Sequence, residues 1–319
     1  MTDAPPLLVD LSSARGRLRV SGEDRVRFLN GQFSNDLRAL KPLGGCYGVF
    51  PNAKGRVRAD GVALNPGPCL LVDTEPDAAA SLAVDLERFV IADDVAIETL
   101  GEAWRGFILL GVKASRILRE SGLVEAPPET LFSMACLSED VWENGFAFRS
   151  RRAALPSYDL WIPSHAAASV GARLEAAVDG AGGKRSDLAA REILRVEAGI
   201  PRFGLDFDAT TLPQEADLEE IGISFTKGCY VGQEVISRIK SVGHVNRALA
   251  RLRLPPEAKT GDPLVFSGRE AGRLGSVIVS PRFGPIGLAI LRREAVVVGA
   301  RLALPQGEAI VVARFEDMP

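Results

Sequence analysis

The 319-residue sequence predicts an α+β chain in which two α/β units of similar order precede a C-terminal antiparallel β unit. Three observations predict it. A strand–glycine–helix pattern occurs near residue 16 and again near 107. Two strands, a turn and a helix follow each occurrence. After His244 the helical periodicity gives way to short alternating runs at fairly even spacing.

Taken in order, GRLRV at 16–20 alternates as a strand does, and beyond Gly22 the residues Val26, Phe28, Leu29 and Phe33 recur at helical spacing. Residues 46–73 read as strands broken at Pro51-Asn52 and at Asn65-Pro66-Gly67. A helix is expected over about 77–89, with Leu82, Leu86 and Phe89 on one side. FILLGVKASRILRESG at 107–122 repeats the strand, glycine and helix, and residues 146–178 repeat the two strands, turn and helix. The match is one of order, with little residue identity, and it points to duplication. Ser186 is placed to cap a helix from Asp187 to about Glu197, which Gly199-Ile200-Pro201 ends. The runs RALARLRL, PLVFSG, LGSVIVS, GLAILRR, ARLALP and EAIVVARF then predict a small antiparallel barrel or sandwich, with a domain boundary near residue 245.

Composition narrows the function classes. A chain 46% hydrophobic and 25% charged is ordinary for a soluble protein of two or three packed units. A net charge of −3 argues against a broad basic surface, so direct nucleic-acid binding is not expected. Cys46, Cys69, Cys136 and Cys229 are scattered, and only His165 and His244 could join them. No CxxC or CxxH occurs, so neither a structural zinc site nor a self-contained iron–sulfur cluster is expected, and no metal ligands are assigned. No apolar run approaches the ~20 residues of a membrane span, and the N-terminus lacks a basic or apolar leader. The expected location is the cytoplasm, with free thiols.

The segment KGCYVGQEVISR, Lys227 to Arg238, carries the strongest chemical signal. Glycines on both sides of Cys229 let the backbone adopt unusual angles and expose the thiol. Lys227 beside it favours the thiolate, and Arg238 and Lys240 make the segment basic. A packing role for Cys229 competes with a reactive one at this level. Glu197 ends its helix, where the macrodipole disfavours a carboxylate. It suits either a salt bridge to Arg195 or Arg202, or a ligand presenting paired N–H groups. Asp60 sits on a strand after a turn, either exposed or facing a pocket, and NGQFSND at 30–36 could cap a segment or line a cleft. No phosphate-binding glycine loop or HExxH motif is present.

KGCYVGQEVISR resembles the signature of the YgfZ family of folate-binding proteins, relatives of the T-protein (aminomethyltransferase) of the glycine cleavage system. FLNGQFSNDLRAL, FPNAKGRVRADGVAL, REILRVEAGIPRFGLDF and LPQEADLEEIGISFTKGCYVGQE agree in order, so the resemblance covers most of residues 16–250. It implies a central folate pocket among the α/β subdomains and a C-terminal antiparallel β-barrel. The folate-binding region would be 1–244, built of 1–100 with 185–244 and of 101–184, followed by a barrel at 245–319. Glu197 matches the T-protein glutamate that holds the pterin ring. Asp60, Glu197 and Arg238 are the expected folate-binding residues, and Cys229, Lys227 and Asp60 the expected catalytic ones.

Of the two adjacent acidic positions of the T-protein motif, Asp60 matches the second and Ala59 occupies the first, which puts aminomethyl transfer in doubt. The resemblance therefore implies a tetrahydrofolate-binding accessory factor for iron–sulfur enzymes or their assembly proteins. Any link to tRNA methylthiolation would be indirect, and nothing demands more than a monomer. A folate-dependent one-carbon transferase is the alternative.

Overall fold

The computed structural model describes residues 4–137 and 142–313. The final residues of the run EAIVVARF therefore lie outside the described residues. Strand–helix alternation follows the hydrophobic pattern and builds two sheets and a barrel.

The first sheet orders its strands Gly44–Pro51, Val57–Asn65, Leu70–Thr74, Gly16–Ser21, Ala96–Thr99, with antiparallel neighbours throughout. Helices Arg25–Gln32 and Pro76–Glu87 cover one face, where Leu18, Phe28, Ala59, Val72 and Leu82 share a core. The second sheet runs Lys184–Ser186, Leu7–Asp10, Trp104–Leu110, Ser157–Pro163, Phe146–Ser150, Met134–Cys136. Only its first pair is parallel. Helices Ala114–Glu120 and Ala167–Gly180 cover its outer face.

The repeated order is visible in the turns. Gly22 (φ 101°) and Gly111 (φ 137°) each join a strand to the helix that follows. A Cβ on Gly22 would come within 2.1 Å of the Asp94 carbonyl oxygen, so the turn requires glycine. The units are not separate in sequence, however. Leu7–Asp10 pairs with Trp104–Leu110 and with Lys184–Ser186, so an N-terminal strand completes the second sheet.

The inner faces of the two sheets meet in an aromatic core that includes Val62, Leu71, Trp104, Phe132, Phe146 and Trp161. Ring centroids there lie 5.2–6.4 Å apart, within the range of favourable tilted packing.

Helix Leu188–Glu197 joins the parts. Its cap is Asp187, whose carboxylate accepts from the Ala190 N–H, and not Ser186, which ends a strand. Val196 packs against Leu249, Ile286 and Leu288 of the barrel. The barrel is closed, in the order Arg247–Arg253, Gly284–Arg292, Arg269–Ser280, Pro263–Phe266, Arg301–Leu304, Gly307–Val312. Closure removes exposed edges, which decides between barrel and sandwich. Ser267 and Gly268, both at positive φ, make the two-residue hairpin between Phe266 and Arg269.

Candidate functional site

The hairpin Gly44–Pro51/Val57–Asn65 sets the first half of the site. Alternation puts Ala59 and Ala63 into the helix-covered core, while Asp60 and Val62 face the second sheet and line an enclosed cavity. Tyr47 pairs with Val62 and Val49 with Asp60, so Tyr47 stands diagonal to Asp60. The Tyr47 hydroxyl donates to Asp60 Oδ2 at 2.6 Å. Asp60 Oδ1 is cut off from solvent and accepts no hydrogen bond among the described residues. Burial pushes the Asp60 carboxyl up to about 6, against the pull of the tyrosine hydrogen bond. Burial and the Asp60 charge together hold Tyr47 well above its ordinary value.

Ala59 lies on the opposite face of the strand from Asp60. An acid at 59 would point into the apolar core, so alanine there takes no carboxylate from the cavity.

Arginines form the second half. Asp73, fully buried, accepts from Arg15 Nε at 2.8 Å, from Arg152, and from Trp161 Nε1 at 3.3 Å. Burial alone would raise its pKa, but Arg15 and Arg152 hold the carboxyl well below the usual range. Asp159 accepts from Arg152 at 2.8 Å and from Ser150 at 2.6 Å. Glu192 gathers Arg191, Arg195 and Arg202 at 2.8–3.0 Å. Such pairs are costly to desolvate and become favourable only when their hydrogen bonds are satisfied. Arg191 is the exception. It is 4% exposed, its Nε has no partner among the described residues, and burial lowers it to about 10. Phe132, Ile200, Pro201, Leu218 and Ile221 supply apolar walls. An enclosed cavity with apolar walls, one unpaired carboxylate oxygen and one unpaired guanidinium nitrogen suits a flat N–H-bearing ring with an anionic group attached.

Cys229 lies outside this cavity, exposed on the segment that precedes helix Gln233–Val242. Lys227 is buried, and its Nζ donates to the carbonyl oxygens of Asn30, Phe33 and Asn35 at 2.7, 2.7 and 2.8 Å. Burial lowers its ammonium to about 8, which leaves it protonated at neutral pH. Its three N–H groups thus match three acceptors at and beyond the end of helix Arg25–Gln32. Lys227, expected as the thiol's cationic neighbour, thus also clamps the segment to three backbone carbonyls. Gly232 (φ 79°) starts the helix where a Cβ would meet the Asn52 carbonyl oxygen at 2.3 Å.

Two expected folate contacts lie elsewhere. The Glu197 carboxylate accepts from Ser280 Oγ and stands 3.6 Å from Arg282, both beside the barrel, and Glu197 does not line the cavity. The macrodipole objection to Glu197 is thus met by a barrel hydroxyl and an arginine. Arg238 is exposed on its helix, also away from the cavity. Sequence reasoning missed Tyr47 and the arginines at 15, 152 and 191, and it offered Arg195 or Arg202 to Glu197, whereas both pair with Glu192. Counting the hairpin register back from the Asn52–Gly55 turn would have set Tyr47 opposite Gly61, and only the register shift between Phe50 and Pro51 brings it diagonal to Asp60.

Among the described residues no cluster of three or more His, Cys, Asp or Glu could hold a metal ion, and no helix is long and apolar enough to cross a membrane.

Comparison with known proteins accords with this architecture. The tRNA-modifying protein YgfZ of Colwellia psychrerythraea is 26% identical over 262 residues, covering 76% of this chain and 70% of that protein. The mitochondrial iron–sulfur cluster assembly factor IBA57 of Mus musculus is 26% identical over 306 residues, covering 88% and 76%. Other relatives of like identity are named aminomethyltransferase. Across the curated relatives compared, the chain spans 56% to 85% of their length. The fold is that of the glycine cleavage system aminomethyltransferase T from Bartonella henselae, with a TM-score of 0.84 at 21% identity over 98% of this chain and 87% of that one. A family model described as the GCVT N-terminal domain matches residues 7–227, well over half of the sequence. The chain belongs to the GCVT N-terminal domain family.

Proposed function

We propose that this chain binds a tetrahydrofolate in the central cavity and supports the assembly or repair of iron–sulfur enzymes, with Cys229 as its reacting thiol. The observation that carries the second half is the exposure of Cys229 on a segment pinned by a buried lysine. A packing cysteine would be buried, as Cys69 is. The names of the relatives, an iron–sulfur assembly factor and a tRNA-modifying protein, support the same reading. One thiol is too few to hold a cluster alone, so iron or sulfur would be cargo met together with a partner protein. The monomeric chain would act in the cytoplasm, and any effect on tRNA would pass through the enzymes it serves.

The cavity supports folate on its own chemistry. Asp60 Oδ1 is free to accept N–H groups of the pterin, the apolar walls suit its ring, and Arg191 suits a carboxylate of the tail. Bound tetrahydrofolate would supply a carrier for one-carbon units. Asp60, ionised or protonated near neutral pH, would hold or take a proton beside it, and the enclosing walls would exclude water.

That same carboxyl favours a second reading, a folate-dependent aminomethyltransferase, because the alanine at 59 removes nothing from the cavity. Trp161 donates to Asp73 behind the cavity, so titrating tetrahydrofolate against tryptophan emission reads occupancy. A saturable change that weakens in Asp60→Asn is expected, and no change at any concentration contradicts the folate half. Turnover of an aminomethyl donor, lost in Asp60→Asn and kept in Cys229→Ser, would favour the transferase.

A further inference from the structure

The polar segment NGQFSND stands between the cavity and the cysteine segment and bonds to both. On the cysteine side, three tethers converge on it. Ser224 N–H donates to the Ser34 carbonyl at 3.0 Å, Val231 N–H to that of Gly31 at 3.0 Å, and Lys227 Nζ to those of Asn30, Phe33 and Asn35. Residues 223–232 contain no helix or strand, so these tethers fix where Cys229 sits.

On the cavity side, the Asn35 side-chain amide donates to the Tyr47 carbonyl at 2.8 Å and the Ile221 carbonyl at 3.4 Å. Both of those residues line the cavity, and the Tyr47 hydroxyl holds Asp60. Ser34 adds a parallel strut. Its hydroxyl donates to the Gly222 carbonyl and accepts from the Val49 N–H at 2.8 Å. Asn35 thus offers its carbonyl to the lysine clamp and its side chain to two walls of the cavity.

We propose that Asn35 is a positioning residue that joins the cavity wall to the thiol-bearing segment, so that filling the cavity restrains Cys229. This rests on the folate reading above. A ligand seated against Tyr47 and Ile221 orders the strand and the short helix, Glu219–Gly222, to which Asn35 is bonded. The ordering passes through the Asn35 backbone to Lys227 and the loop that it clamps. The thiol would then be presented differently in the loaded and empty protein.

The test uses the full chain and 5-formyltetrahydrofolate as probe. Binding is measured by calorimetry, and in the same samples the Cys229-dependent rate of iodoacetamide labelling is measured with and without saturating probe. Cys229→Ser supplies the background from Cys46 and Cys136. Couplings between sites commonly amount to roughly 5-fold or more, and a slowing of that size is expected in the parent. In Asn35→Asp, which keeps the shape and loses both donated hydrogen bonds, less than about twofold slowing is expected while heat of binding persists. Asn35→Ala serves the same purpose should the aspartate disturb folding. Probe that binds without changing the parent's labelling rate overturns the inference and leaves the folate reading standing. Equal slowing in parent and Asn35 variants overturns it too. Absence of binding heat overturns both.

Discussion

Asp60→Asn should stabilise the protein at neutral pH and do so less as pH falls. The folded-state pKa of Asp60 is about 6, against 3.8 for the free group. The folded protein therefore holds this proton more tightly than the unfolded chain between roughly pH 4 and 6. Its contribution is full below the unfolded value and is lost as pH rises through the folded one. About two pK units correspond to a loss of up to ~3 kcal/mol at pH 7.5. Asparagine keeps an acceptor for the Tyr47 hydroxyl, fills the same space and cannot ionise.

Urea unfolding of parent and variant at half-unit steps from pH 4 to 8 gives the difference directly, since all other titrations are shared. The stability difference should be small near pH 4 and grow towards ~3 kcal/mol by pH 7.5. A difference independent of pH would refute the argument that burial, rather than contact geometry, sets the state of Asp60. Ligand N–H groups at Oδ1 would lower the Asp60 pKa again, so tetrahydrofolate affinity should rise with pH through about 6.

Three further outcomes follow from the same geometry. Lys227→Met leaves three carbonyl groups without their donor and should cost about 3 kcal/mol in urea unfolding, while a neutral result would show that water replaces the ammonium. Gly232→Ala must accept φ 79° and a Cβ 2.3 Å from the Asn52 carbonyl oxygen, and should cost ~1–3 kcal/mol together with faster proteolysis around residue 230. Glu197→Ala and Ser280→Ala should both lower the unfolding midpoint, the first by removing the carboxylate from Ser280 and Arg282, the second by also leaving the Arg282 and Phe283 N–H groups without the hydroxyl that accepts from them. Selective loss of tetrahydrofolate affinity in Glu197→Ala would instead show that the carboxylate leaves Ser280 when ligand binds.

Much of the fold was legible because its signals are local. Gly22 and Gly111 each mark a strand-to-helix turn, and the alternating runs after His244 mark barrel strands. What escaped was long-range. Nothing near Leu7–Asp10 says that it pairs with Trp104–Leu110, because strand pairing depends on partners about a hundred residues away. The site shows the same division. Cys229 stood out by its glycine flanks, and Asp60 by its place after a turn. The clamp made by Lys227 was not legible, because its carbonyl acceptors lie nearly two hundred residues earlier. Which way Ala59 faces, into the apolar core and away from Asp60, was likewise set by the strand's place in the sheet. Arg15, Arg152 and Arg191 are ordinary in sequence and acquire meaning only where two sheets and a helix converge.

The central claim, that this family member works through an exposed thiol in iron–sulfur maintenance, is tested most directly by complementation. A strain lacking the gene is supplied with the parent chain or with Cys229→Ser at equal abundance, and the activity of a cluster-dependent enzyme is scored. Restoration by the parent and none by Cys229→Ser is the predicted result, and full restoration by Cys229→Ser would contradict the account.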